Sequence, residues 1–186
     1  MVALASLWLP ILLAAVVAHI ASSLLHMLVG HHAGDLKQLP QEDTLLDAVR
    51  SAAVAPGDYL APRPASAKAL KDPDYVSKRR RGPVLLLTVM SSGEMQMGKL
   101  LTQWFIYLLI VFVLTAYVAC HALPTGAPYL KVFQVVGTVA FLGFAMGYPP
   151  NSIWWQHRWS STIKYMIDGL VYALLGAGVF GWLWPR

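Results

Sequence analysis

Apolar residues gather into four long runs, and the polar residues between them are unevenly distributed. The first run extends from Val2 to Val29 without an Asp, Glu, Lys or Arg; the others cover 100–122, 129–148 and 162–184. At about 1.5 Å per residue the last run makes about 35 Å of helix, enough to cross a hydrocarbon core of about 30 Å. The pattern predicts an all-α membrane protein, a single integral membrane domain with four transmembrane helices over about 3–29, 100–122, 129–148 and 162–184. The first run is longer than the apolar part of a signal peptide and no base precedes it, so it is expected to stay as a span. Pro149 and Pro150 are expected to stop the third.

Residues 31–98 form an extramembrane segment that holds every acid except Asp168. Within it Leu45, Leu46, Val49 and Ala53 recur at helical spacing behind Glu42 and Asp43, which predicts a short amphipathic helix over 39–54. Pro56, Gly57, Pro62 and Pro64 are expected to break regular structure, and Asp72-Pro73 reads as a turn. Val84 to Met90 is apolar but too short to span, and reads as a strand or an interfacial segment. The segment is therefore expected to be a mostly irregular loop carrying one helix.

Composition sharpens the class. With 57% hydrophobic and 12% charged residues the chain is too apolar for an ordinary soluble domain of 186 residues. Its net charge of +5 would suit nucleic acid, but the bases gather at predicted membrane boundaries rather than among stacking aromatics, so no nucleic-acid partner is expected. Of the 14 Lys and Arg residues only Lys131 and Arg186 fall outside 31–99 and the turn into the last span. By the positive-inside rule both termini are expected in the periplasm of a bacterial inner membrane, with 31–98 cytoplasmic. Lys78, Arg79, Arg80 and Arg81, with Trp154, Trp155 and Trp159, are expected at the membrane interface.

Small residues suggest how the helices meet. Gly143 and Gly147 form a GxxxG spacing, and Gly169, Ala173, Ala177 and Gly181 recur every four residues, which predicts that the last two spans pack on each other. His19, Ser22, Ser23 and His26 lie on one stripe of the first helix and are expected, with Asp168, to make polar contacts between helices.

Asp168 is the one acid inside an apolar run, an expensive position unless it faces protein or a cavity. His26, His31, His32 and His157 belong to the same end of the bundle, and imidazoles with a carboxylate are a donor set for a divalent transition metal or a proton path. The competing reading keeps Asp168 structural, accepting hydrogen bonds from His26, Ser23 or a tyrosine, or pairing with Lys164 one turn earlier. His121 ends the second span at the opposite face, which argues against a haem shared with His26. There is no GxSxG, Walker A, Rossmann or HExxH motif, and Cys120 and His121 diverge on a helix, so no catalytic residue is assigned.

The elements EDTLLDAVR, PGDYLAP, KDPDYVSK with RRRGPV, MQMGKLLTQWF and DGLVYALLGAGVFGWLWP resemble an uncharacterised group of bacterial four-span inner-membrane proteins with no assigned activity. The resemblance implies that architecture and supplies no catalytic residue. Where Leu175-Gly176 stands the group's motif would carry a Thr, so no role attaches to a hydroxyl there.

Taken together, the residues lead to a non-catalytic structural or accessory subunit of a larger energy-transducing or transport complex, with membrane lipid and other subunits or copies of itself as partners. No cofactor is favoured beyond bound lipid. The alternative is a small transporter, metal-handling or redox protein built on the His/Asp cluster.

Overall fold

The computed structural model describes residues 2–186, which divide into two compact units: residues to Lys37 together with Gln96–Arg186, and Gln38–Met95. The first unit contains four helices long and apolar enough to cross a membrane: Leu4–Val29, Met97–Ala122, Tyr129–Trp155 and Trp159–Leu183. The chain is thus mostly helical and has the makeup of a multi-pass membrane protein.

Helix α1 (Trp8–Leu24) follows a 3₁₀ turn and continues as a π-helical turn over Leu25–Val29. It ends at Gly30, whose φ of 60° is a left-handed conformation that glycine adopts without steric cost, and whose N–H donates to the Leu25 carbonyl at 3.1 Å. In the other unit lie α2 (Glu42–Ser51) and α3 (Pro73–Arg81). The bundle resumes with α4 (Met97–Ala122) and α5 (Tyr129–Ala145), then a short α6 (Pro149–Trp155) and α7 (Trp159–Leu183). Pro149 begins α6 rather than ending the span, because a first-turn proline gives up only an N–H with no intrahelical acceptor.

The four long helices close into a ring, α1 packing on α4 and α7, and α5 on α4 and α7. Phe112 and Phe180 are fully buried in its centre with Leu7, Leu108, Val132 and Val136. The outward surface is equally apolar: Ile110, Leu114, Ile167 and Trp182 are all exposed. Such a surface suits hydrocarbon, where helices satisfy their own backbone polar groups.

The expected α5–α7 contact is the most extensive in the bundle. Ala173 and Ala177 are fully buried, and a Cβ added at Gly169 would come within 3.1 Å of Ala145 and Phe144. One added at Gly181 would come 2.7 Å from the Tyr129 ring. The GxxxG pair behaves differently. Gly143 faces Val111 of α4, and Gly147 has nothing within 4 Å of an added Cβ, so this pair does not form the α5–α7 contact. Gly176, which the four-residue repeat omits, sits against Phe112 so closely that a methyl group there would overlap the ring.

The second unit is more ordered than an irregular loop. Helix α2 matches the predicted amphipathic segment, with Glu42 and Asp43 in its first turn and an Arg50–Asp47 ion pair on its surface. Strands β1 (Gly57–Ala61) and β2 (Leu85–Val89) pair antiparallel from Gly57 opposite Val89 to Ala61 opposite Leu85. Pro56 and Pro62 flank β1 and do not break it, since prolines at strand ends cost no ladder bond. Asp72-Pro73 opens α3: the Asp72 carboxylate accepts the Asp74 N–H at 2.8 Å and Pro73 fills the first helical position. No residue of this unit is fully buried, and Lys78, Arg79, Arg80 and Arg81 are exposed.

Candidate metal centre

The turn after α1 builds the site. The π-helical turn and the left-handed Gly30 redirect the chain, and hydrogen bonds from the N–H of Ala33 to Gly30 and of Asp35 to His32 hold the next residues compactly. His31 and His32 are thereby carried against α7, where Asp168 is only 3% exposed. Lys164, one turn before Asp168, clamps the turn by donating to the His31 carbonyl at 2.6 Å and to Asp35 at 2.8 Å. The Arg158 guanidinium adds a bond to the Gly34 carbonyl at 3.2 Å.

Both oxygens of Asp168 are engaged. His31 donates from Nε2 to Oδ1 at 2.9 Å, His32 from Nε2 to Oδ2 at 2.8 Å, and His26 Nε2 stands 3.8 Å from the same Oδ2. The opposite ring nitrogens of His26 and His32 have their own partners, whereas His31 Nδ1 is buried without one. His26 Nδ1 lies 2.9 Å from the Ser22 carbonyl, which can only accept, so Nδ1 carries the proton and Nε2 presents its lone pair in the neutral ring. His32 Nδ1 donates to Asp35 at 2.6 Å. The rings stack, with 4.9 Å between the His26 and His32 centroids and 4.5 Å between those of His32 and Tyr165.

His32, between two carboxylates, is the group best suited to hold a proton here. Burial opposes its charged form, but hydrogen bonds to Asp168 and then Asp35, with their charges, outweigh burial and raise its pKa above the ordinary 6.5. The Asp35 carboxyl is held far below the usual carboxylate range by the Lys164 ammonium and then by His32, against a smaller penalty from burial. The Lys164 ammonium and the His31 and His32 imidazoles thus surround the two carboxylates with donors, which lowers the cost of an acid within an apolar helix.

His26, His31, His32 and Asp168 come together as expected, whereas His157 does not. Gln156 turns the chain with φ 57°, and the His157 side chain is exposed and is not among the donor atoms that converge there. The polar stripe on α1 divides. Ser22 accepts the indole N–H of Trp104 on α4 at 2.9 Å, Ser23 donates to the His19 carbonyl at 3.0 Å, and His19 stands edge-on to Phe105 with its Nδ1 unpaired. Ser23 and Lys164 bond to other acceptors, the His19 carbonyl and the His31 carbonyl with Asp35, and not to Asp168. Asp35 was missing from the expected set, though its spacing three residues after His32, across a glycine, is the signal that could have found it. Trp154, Trp155 and Trp159 are exposed near the same end of the bundle.

Beside the cluster lies a cavity of about 540 Å³ whose wall includes His26, Asp168, Trp104 and Tyr172. His26, His32 and Asp168 each offer one donor atom, all within 4.8 Å of one another. Comparison of the chain with protein-family models, with curated proteins and with solved structures finds no match.

Proposed function

We propose that this chain is a metal-handling membrane protein that binds a divalent transition metal of the zinc class through His26, His32 and Asp168. The observation that carries the reading is how the two imidazoles are held. Each has its Nδ1 fixed by an oxygen acceptor, Ser22 carbonyl or Asp35 carboxylate, and its Nε2 turned toward one oxygen of Asp168. Metal-binding histidines are oriented in this way, the backing oxygen fixing the tautomer and raising the basicity of the ligand atom. Donors about 2 Å from a tetrahedral ion stand about 3.3 Å apart, and the Nε2–Oδ2 separations of 2.8 and 3.8 Å bracket that value. His31 then keeps its bond to the other oxygen of Asp168 and fixes the carboxylate. Three protein ligands leave a fourth position for water or another ligand.

The same reading puts the chain in a bacterial inner membrane with periplasmic termini, 31–98 in the cytoplasm and the metal near the cytoplasmic surface. It rests on the charge asymmetry, in which Lys131 and Arg186 are the only bases on the opposite side. A reporter-enzyme fusion at Arg186 active only in the periplasm is the expected result. For the metal, the protein is purified gently from its own membrane and its metal content and co-purifying chains are measured together. Stoichiometric zinc supports the proposal. Fixed partner subunits with no metal in the intact complex, and no uptake of added zinc, would return the chain to the accessory role expected from its sequence.

A further inference from the structure

Tyr172 is 3% exposed, yet its hydroxyl makes no hydrogen bond, although Ser22 is close by. Ser22 Oγ accepts the indole N–H of Trp104 at 2.9 Å and forms no bond with the phenol. A buried phenol without an acceptor is uncommon in a folded protein. Tyr172 belongs to the wall of the same cavity as His26 and Asp168, so a polar group lacking an acceptor and two of the metal donors border one space. Much of the remaining wall is apolar, with Leu100, Leu101 and Phe144 among its residues. The volume of about 540 Å³ falls within the range of about 300–1,000 Å³ usual for small-molecule sites.

Charge selects the occupant. A dication bound by two neutral imidazoles and one carboxylate keeps an excess positive charge, which is costly at the edge of an apolar bundle unless an anion completes it. The fourth ligand is then best an anionic oxygen, and a second oxygen on the same group would accept the Tyr172 O–H. An apolar tail attached to that group would suit the leucine and aromatic walls. We propose that the cavity binds a long-chain carboxylate, its head on the metal and on the Tyr172 hydroxyl and its tail along the apolar wall. This inference rests on the metal reading.

The test uses the full chain in detergent, delipidated and prepared with zinc or metal-free, with zinc content and thermal unfolding measured on each sample. Dibrominated stearate is titrated in and quenching of tryptophan fluorescence is read, with the methyl ester of the same acid as a control. The expected result is saturable quenching of the zinc-loaded protein, with Trp104 supplying much of it so that Trp104→Phe shrinks the amplitude. The ester, the metal-free protein and Tyr172→Phe should each bind about tenfold more weakly, as expected when one strong polar contact is lost. Tyr172→Phe keeps the ring, and the ester comparison on the unaltered chain does not depend on that variant folding. Acid and ester binding alike, or no saturable quenching of a fully zinc-loaded protein, would overturn the carboxylate and leave the metal reading standing. A chain that takes up no zinc would overturn the metal reading, and this inference with it.

Discussion

Replacing Asp35 by Asn tests whether the cluster is built to bind metal or only to pair charges. Asp35 touches no proposed metal position: its two oxygens accept His32 Nδ1 at 2.6 Å and Lys164 Nζ at 2.8 Å. Asparagine keeps the shape but offers one oxygen and one amide NH₂, and both neighbours are donors. Whichever way the amide turns, His32 or Lys164 loses its acceptor. If His32 loses it, the imidazole is no longer fixed with Nε2 toward the metal. If Lys164 loses it, the clamp on the His31 carbonyl weakens, and with it the turn that carries both histidines. Removing an outer partner of a metal-bound histidine costs about 10–100-fold in affinity. Because Asp35 supports two groups, the upper end is expected, about a hundredfold weaker zinc binding with little change in bundle stability. Competition with a chromogenic chelator near neutral pH measures the affinity, and circular dichroism on heating measures the fold. An Asp35→Asn variant that binds zinc within about twofold of the unaltered protein would refute the reasoning.

Other expectations follow from the same geometry. Gly176→Ala should lower the unfolding midpoint clearly, since the added methyl overlaps the Phe112 ring and that ring is fully buried, while Gly147→Ala, with open space at its Cβ, should leave it unchanged. His157→Ala should leave zinc affinity unchanged, because the side chain is exposed and is not among the converging donor atoms. In the metal-free protein the raised His32 pKa stabilises the fold fully below 6.5 and loses that contribution as pH rises through the raised value, so the unfolding midpoint should fall on that rise. Zinc must displace the His32 proton, so its apparent affinity should drop as pH falls through the same window, with proton release measurable by titration calorimetry in buffers of different ionisation heat.

The bundle is legible in the sequence because its signal is length and apolarity, which need no partner. Runs at 100–122 and 162–184 correspond to α4 and α7 with ends shifted by a few residues. The α5–α7 contact was legible for the same reason, since Gly169 and Ala173 mark a close approach wherever the neighbouring helix lies. Gly143 shows the limit of that reasoning: spacing says that a backbone can be approached but not by which helix, and Val111 of α4 is the neighbour. At the site, His31 and His32 were visible as residues next to a span. Their direction depends on one left-handed glycine and on Lys164 reaching Asp35, contacts distant in sequence that periodicity cannot report. His157 looked equivalent to them by position and diverges because of the turn at Gln156. In 38–95, Pro56 and Pro62 read as breakers although they bound β1, and Asp72-Pro73 reads as a turn although it opens α3.

The most direct measurement of the central claim is the zinc absorption-edge spectrum of the protein taken from its native membrane, with metal content determined on the same sample. The account predicts about one zinc per chain, surrounded by nitrogen and oxygen at about 2.0–2.2 Å with imidazole scattering from two rings, and its loss in Asp168→Asn. Sulfur neighbours at about 2.3 Å, or a folded protein that neither carries zinc nor takes it up, would contradict it.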